Sequence, residues 1–353
     1  MQGETALDIH IKHETRGTSG RQARIGAMSK PLRHHLDGPR LRLLPAILLL
    51  GILLSACAPA SVSSSPPAHP GWPALGAAVG DPELVPLIVS SEAAVGYNRL
   101  LVTALGSDGQ SLAAPDLEVR LRFYDLDADV TAPTQELAAT FHVLLDDAEE
   151  NPVGVYVALI DFSHAGDWGI EMLASPGGGQ ERRSRRTFSV SETTTTPALG
   201  APAPPSDTLT ATDAAGLARI SSDAEPDATF YRLSVRDALA AGMPFVIVFA
   251  TPAFCTSATC GPALELAKSV APDYLGRVNF IHIEPYELEL VDGRLQLRTD
   301  ASGSRILNPA VEEWGIPSEP YVFVVDASGR VAAKFEGPAD TTELAAALEA
   351  VLP

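Results

Sequence analysis

The sequence reads FVIVF at residues 245–249 and continues ATPAFCTSATCGP to Pro262. An apolar run of β-branched and aromatic residues is typical of a central strand that is buried on both faces. Such a strand needs helices packed over both sides of its sheet, so the run predicts an α/β domain. The predicted strand leads directly into a loop with two cysteines, Cys255 and Cys260.

The spacing of Cys255 and Cys260 restricts where they lie. In a regular helix, an offset of five residues rotates the second side chain by about 140° and raises it by about 7.5 Å, which does not suit a disulfide. A Cys255–Cys260 disulfide therefore requires Cys255 to lie in the loop. Gly261-Pro262 favours a helix that begins near residue 261, because proline is tolerated in the first turn. Cys260 would then lie at a helix N-terminus, where the helix dipole favours the thiolate.

Residues 209–353 alternate strand and helix patterns around this segment. The predicted strands are Phe230–Leu233, Phe245–Phe249, Val278–Ile283, Tyr321–Val325 and Val331–Phe335, with a hairpin that turns at Asp292-Gly293. The predicted helices are Val235–Ala241, Gly261–Val270, Ala310–Trp314 and 341–352, the last capped by Asp340 or Thr341. This order predicts a mixed sheet with helices on both faces.

Two segments resemble the thioredoxin-like superfamily, in particular its TlpA-like exported oxidoreductases. The turn from Phe249 to Cys255 resembles the family's strand-to-cysteine turn, and EPYVFVVD at 319–326 resembles its cis-proline and the strand that follows. The resemblance implies that Pro320 faces the reactive sulfur and that Glu319 contacts the substrate. Pro317 is the competing candidate for this proline. The chain departs from the family by placing four residues, not two, between its cysteines.

The resemblance implies thiol–disulfide exchange with protein thiols or disulfides as partners, and no organic cofactor. We take Cys255 as the nucleophile and Cys260 as the resolving thiol, because Cys255 has the family's distance from its strand. The reverse order stays open, because Cys260 has the more favourable predicted electrostatics. A purely structural Cys255–Cys260 disulfide is one alternative. Sco-type copper chaperones share the fold, so a Cu(I) site formed by both cysteines and His282 is another. The position of His282 on a predicted strand favours a packed residue over a metal ligand.

The N-terminal region predicts export. Basic residues at 30–42 precede an apolar stretch of about 14 residues, which is too short to span a membrane but suits a signal peptide over 1–56. The residues LSAC at 54–57 resemble a bacterial lipobox, which implies a diacylated Cys57 that anchors the protein to the outer face of the plasma membrane or a periplasm-facing membrane. A Pro/Ser-rich tether over 57–80 is expected to follow. With Cys57 acylated, Cys255 and Cys260 have no partner but each other.

Residues 81–192 predict an all-β domain. The sequence LEVRLRF at 117–123 alternates apolar and polar residues, as in a half-buried strand, and turn signals recur at short intervals. These patterns favour an Ig-like β-sandwich, and residues 154–168 resemble the penultimate hairpin of small exported sandwiches of the YtkA or FixH type. The Thr/Pro-rich run 193–208 predicts a linker to the α/β domain at 209–353.

Charge excludes one class of partner. The chain has 25 Lys/Arg and 44 Asp/Glu residues. The first 57 residues contain 8 of the basic and 4 of the acidic ones, so 17 basic and 40 acidic residues remain in the rest of the chain. A body this negative repels phosphate backbones, so we expect no nucleic acid partner. The sequence thus predicts two domains, an Ig-like sandwich and a thioredoxin-like domain, in an exported thiol–disulfide oxidoreductase.

Overall fold

The computed structural model describes residues 69–145, 153–176, 179–257, 259–337 and 339–353. All of them belong to one compact unit. The predicted signal peptide and the predicted lipidation site Cys57 lie outside the described residues. Among the residues described, no helix has both the length and the apolar character needed to cross a membrane.

The first part of the described chain is a sandwich of two antiparallel sheets. One sheet has the order β1-β9-β8-β4-β5 and the other β2-β3-β7-β6. The strands are β1 (Ala78–Gly80), β2 (Val85–Ile88), β3 (Gly96–Leu105), β4 (Leu117–Asp125), β5 (Gln135–Ala138), β6 (Thr140–Leu145), β7 (Val153–Phe162), β8 (Gly166–Pro176) and β9 (Arg182–Val190). The prediction of an all-β region is therefore confirmed at the level of two packed sheets.

Strand β4 shows how the sequence pattern builds the sandwich core. Its alternating residues Val119, Leu121 and Phe123 are buried, and they pack with side chains from the opposite sheet in one continuous cluster. The side chains of Arg120 and Arg122 point to the other face, where they pair with acidic residues. Alternation with period two thus assigns each side chain to the core or to the outer face.

Two features of the sandwich differ from the sequence prediction. Strands β7 and β8 do not form a hairpin, because β7 pairs with β3 and β6 while β8 pairs with β4 and β9. The short connection between them carries the chain from one sheet to the other. The sandwich also begins before residue 81: Trp72 is buried against Tyr124, and β1 pairs with β9. The last part of the predicted tether is therefore part of the folded sandwich.

The second part of the described chain is built on a four-stranded mixed sheet with the order β11-β10-β14-β15. Its strands are β10 (Phe245–Phe249), β11 (Asn279–Ile283), β14 (Tyr321–Val325) and β15 (Val331–Glu336), and β12 (Leu288–Val291) and β13 (Arg294–Leu297) form a separate hairpin. Strand β10 is parallel to β11 and antiparallel to β14. The predicted central position of residues 245–249 is confirmed.

Helices cover both faces of this sheet. They are α1 (Ala214–Ile220), α2 (Val235–Ala241), α3 (Cys260–Val270), α4 (Pro309–Glu313) and α5 (Thr341–Val351). On one face, Val246 and Val248 of β10 pack in a cluster with α1, α3 and α5. On the other face, Phe245, Ile247 and Phe249 pack with α2 and α4. The apolar run is continuous because successive side chains of β10 enter two different cores.

Local predictions in this region are mostly confirmed, with two exceptions. The hairpin turns at Asp292-Gly293, where both residues have positive φ, and Asp340 caps α5 in a reciprocal capping box with Glu343. The predicted strand Phe230–Leu233 is wrong, because residues Ala228–Tyr231 form a 3₁₀ helix. The Asp227 side chain caps the N-terminus of this helix. Helix α1 was not predicted, because its seven residues carry little apolar periodicity.

The segment 193–208 lies against the mixed sheet. Gly200 N–H donates to the carbonyl of Val331 over 2.7 Å, Ala203 N–H donates to that of Gly329 over 2.9 Å, and Thr196 is buried. These contacts join the residues predicted as a linker to the turn before β15. The sandwich and the mixed sheet therefore meet through a packed segment.

Candidate active site

The cysteine loop lies where β10 ends and α3 begins. Cys255 lies in this loop, and Cys260 is the first residue of α3. The expectation that Cys255 precedes the regular helix is confirmed, and the helix begins one residue before the predicted position. Both cysteines are free thiols; Cys260 is fully buried and Cys255 is partly exposed.

The backbone that leads into the loop is fixed by strand β11. Ala250 N–H donates to the carbonyl of Ile283 over 3.1 Å, and the Nε2 atom of His282 lies 2.9 Å from the carbonyl oxygen of Ala250. Because a carbonyl oxygen only accepts, Nε2 carries the proton. At the far side of the first turn, Ala253 N–H donates to Ser222 Oγ over 3.2 Å. The loop is therefore held at both ends of its first turn.

His282 is a packed residue. It is 3% exposed, and its Nδ1 atom lies 2.6 Å from the hydroxyl of Tyr231. Burial lowers the pKa of His282, which favours the neutral ring. Both ring nitrogens are thus engaged. Within the described part of the chain, Cys255, Cys260 and His282 do not form a group with three ligand atoms within 4.8 Å of one another.

The environments of the two thiols are unequal. Burial alone would raise the pKa of Cys255, but hydrogen bonds with the Cys260 thiol, the Ser257 hydroxyl and the backbone of Cys260 and Ser257 outweigh it and lower that pKa. The sulfur of Cys255 lies 3.2 Å from Ser257 Oγ. These contacts favour a thiolate at Cys255, because hydrogen bonds to a charged form stabilise it.

Burial raises the pKa of Cys260 strongly, and the hydrogen bond with Cys255 adds to this effect. A hydrogen bond with the Thr251 backbone acts in the opposite direction and is too weak to compensate. The expectation that a helix N-terminus makes Cys260 the more acidic thiol is therefore wrong. The loss of water around a fully buried sulfur exceeds the benefit of the helix dipole.

The predicted proline and its neighbour lie at the same end of the sheet. Phe249 pairs with Tyr321 across β10 and β14, so Pro320 is opposite Ala250, where the cysteine loop begins. The Glu319–Pro320 peptide bond is cis, and Pro317 is not part of a cis bond. The Glu319 carboxylate accepts from the Tyr286 hydroxyl over 3.2 Å, and its charge contributes to the raised pKa of Cys260. The structure therefore brings Cys255, Cys260, Glu319 and Pro320 to one edge.

Sequence reasoning missed two groups of this site. Ser257 contacts the Cys255 sulfur and lies 2.7 Å from Thr259 Oγ1, and Ser222 holds the loop from a distant part of the chain. The segment between the cysteines is rich in hydroxyl residues, and this local pattern indicates a hydroxyl contact with the Cys255 sulfur. Nothing in the local sequence around Ser222 indicates the second.

The two cysteines do not line either of the cavities described in the structure. Cavities of about 620 and 380 Å³ occur in the described part of the chain, and neither is lined by Cys255 or Cys260. The larger cavity lies beside β15 and includes Lys334, and the smaller one includes Tyr231 and His282. Cys255 itself is partly exposed and lies outside both of these cavities.

Comparison with known proteins leaves the family open. No family model matches the chain, and no curated protein matches it. Among solved structures, an engineered protein matches with a TM-score of 0.19 and 12% identity, over 31% of this chain and 20% of that chain.

Proposed function

We propose that this protein is an extracytoplasmic thiol–disulfide oxidoreductase in which Cys255 is the nucleophile and Cys260 the resolving thiol. The observation that carries the proposal is the unequal setting of the two thiols: Cys255 is partly exposed in the loop and has a lowered pKa, whereas Cys260 is buried at the start of α3 and has a raised pKa. Catalytic dithiols need this asymmetry, because only one of the two sulfurs should attack a substrate at neutral pH.

The proposed reaction transfers two electrons. The Cys255 thiolate attacks one sulfur of a substrate disulfide, the substrate S–S bond breaks, and the leaving thiolate takes up a proton. A mixed disulfide between Cys255 and the substrate results. Cys260 then loses its proton and attacks the Cys255 sulfur, which releases the second substrate thiol. The substrate disulfide is reduced, and the Cys255–Cys260 dithiol is oxidised to a disulfide.

Further support comes from the surroundings of the pair. The β10-to-α3 connection, the mixed sheet with helices on both faces and Pro320 opposite the loop agree with a thioredoxin-like domain. In that interpretation, Pro320 shapes the substrate cleft and Glu319 contacts the bound chain. The packed sandwich is then an Ig-like domain that accompanies the redox domain.

Location and partners belong to the same proposal. The basic and apolar pattern of residues 30–56 and the LSAC sequence support export and lipid attachment at Cys57. Disulfides persist outside the cytoplasm, where a dithiol of this kind has substrates. The partners are therefore protein thiols or disulfides of the cell envelope, and the acidic surface argues against nucleic acid.

The proposal is tested by equilibrating a Cys57→Ser variant of the chain with a glutathione or dithiothreitol series and alkylating the free thiols. We expect a reversible two-electron transition of Cys255/Cys260 at about −120 to −270 mV, the span of catalytic dithiols. A disulfide that stays closed below about −300 mV would instead identify a structural bridge.

A trapping experiment tests the roles of the two sulfurs. With a disulfide-containing protein as substrate, Cys260→Ser should accumulate a mixed disulfide through Cys255, because no resolving thiol remains. The matched variant Cys255→Ser should form little of it, since the remaining sulfur is buried. Equal trapping by both variants would refute the assignment of Cys255 as the nucleophile.

A further inference from the structure

A histidine of the sandwich faces two carboxylates of the C-terminal helix, far from the cysteines in sequence. The Nδ1 atom of His142, on β6, lies 3.5 Å from Asp340 Oδ2 and 3.5 Å from Glu343 Oε2, at the start of α5. The three atoms all lie within 4.8 Å of one another. The group therefore brings one nitrogen and two oxygens close together.

His142 is buried and incompletely satisfied. Its side chain is 8% exposed, and its Nδ1 atom has no hydrogen-bond partner among the residues that the structure describes. A separation of 3.5 Å exceeds the usual 2.7–3.2 Å of an N–H···O hydrogen bond. Since an unsatisfied buried polar atom is costly, this nitrogen calls for a ligand between it and the carboxylates.

The spacing suits a metal ion. Two ligands about 2.1 Å from a tetrahedral zinc ion lie about 3.4 Å apart, close to both distances at His142. Imidazole nitrogen and carboxylate oxygen are common zinc ligands. We propose that His142, Asp340 and Glu343 bind a divalent cation of the zinc type, which links the sandwich to helix α5. The proposal does not depend on the chemistry of the cysteines.

The neighbours of the carboxylates hold them in place for this role. Arg99 donates to both oxygens of Glu343, over 2.7 and 2.8 Å, and so fixes the carboxylate plane. The Oδ1 atom of Asp340 accepts from Glu343 N–H over 2.7 Å, which leaves Oδ2 directed toward His142. Such outer hydrogen bonds orient ligands in metal sites.

The same neighbours limit the affinity. Arg99 and the N-terminus of α5 both carry positive charge that opposes a cation, so we expect weaker binding than at a site with three histidines. The Asp340 side chain is 49% exposed, which provides a path for the ion and room for water as the fourth ligand. An ion that bridges two separate elements should also raise the thermal stability of the whole protein.

The test uses the full chain with Cys57, Cys255 and Cys260 replaced by serine, so that thiolates do not bind the probe. Zinc sulfate is titrated against a chromophoric chelator, and the melting temperature is measured with and without zinc. We expect His142→Ala to bind one equivalent of zinc less than the parent protein does. This variant should also lose the zinc-dependent rise in melting temperature. His164→Ala, which removes a more exposed histidine, should bind as the parent does.

Asp340→Asn provides a variant that keeps the fold. The asparagine Oδ1 still caps α5, while the ligand oxygen is replaced by an amide nitrogen that does not bind metal. We expect at least a tenfold loss of zinc affinity with an unchanged circular dichroism spectrum. If His142→Ala and Asp340→Asn bind zinc with the stoichiometry and affinity of the parent, or if the parent melts at the same temperature with zinc, the proposal is overturned.

Discussion

The hydrogen bonds at the Cys255 sulfur allow a graded test of how the loop sets its acidity. Ser257→Ala removes one hydroxyl that contacts this sulfur at 3.2 Å. Cys260→Ala removes the thiol whose hydrogen bond lowers the pKa of Cys255 more than the bond from Ser257 does. Both substitutions should raise the pKa of Cys255, and Cys260→Ala should raise it further.

The size of the effect follows from the environment of the sulfur. A hydrogen bond to a charged group contributes about 1.5–3 kcal/mol to stability. Because Cys255 is partly exposed and water replaces part of the lost contact, we take about 1 kcal/mol for Ser257. This energy changes the ratio of thiolate to thiol about fivefold. Ser257→Ala should therefore contain about one fifth of the parent's Cys255 thiolate at any pH well below the titration midpoint.

The assay is the ultraviolet absorbance of the thiolate, recorded against pH on the reduced Cys57→Ser background. Alkylation rates are less suitable, because a more basic thiolate reacts faster and hides about half of the effect on a logarithmic scale. Thr256→Ala, which changes an exposed hydroxyl of the same loop, is the control and should titrate as the parent does. Cys260→Ser should titrate closer to the parent than Cys260→Ala does, because its hydroxyl still donates.

The reasoning would be refuted by a Ser257→Ala variant whose midpoint equals that of Thr256→Ala. It would also be refuted if Cys260→Ala lowered the pKa of Cys255. In that case the two sulfurs would not share the hydrogen bond on which the proposed function depends, and the acidity of Cys255 would have another source.

Two further predictions concern stability. Folding lowers the pKa of His282, so as the pH falls the unfolded chain takes up a proton at this residue before the folded chain does. The free energy of unfolding should therefore fall as the pH drops below about 6.5. This group contributes at most about 1.4 kcal/mol per pH unit. Denaturant unfolding at several pH values checks this, and a His282→Gln variant with an equally steep slope would contradict it. Trp72→Ala should cost about 3–5 kcal/mol because the ring is buried. Leu75→Ala, at a residue that is 61% exposed, should change the free energy of unfolding little. Equal losses of stability in the two variants would show that Trp72 is not part of the folded sandwich.

Some elements were predictable because their signals are local. The run 245–249 fixes a doubly buried strand, Asp292-Gly293 supplies the backbone conformation of a tight hairpin, and Asp340 with Glu343 three residues later forms a capping box. The position of Cys255 in a loop also followed from local rules, since Pro262 restricts where a regular helix begins. In each case the deciding residues are neighbours in the chain.

Other features were decided only by tertiary structure. The sequence alone determined that two cysteines lie at the end of a buried strand, but it ranked Cys260 as the electrostatically favoured thiolate. Packing reversed this order, because burial depends on residues distant in sequence. Trp72 joined the sandwich for the same reason, and the group of His142 with Asp340 and Glu343 connects positions about two hundred residues apart. Desolvation and ligand geometry depend on which surfaces meet, and a local pattern does not contain that information.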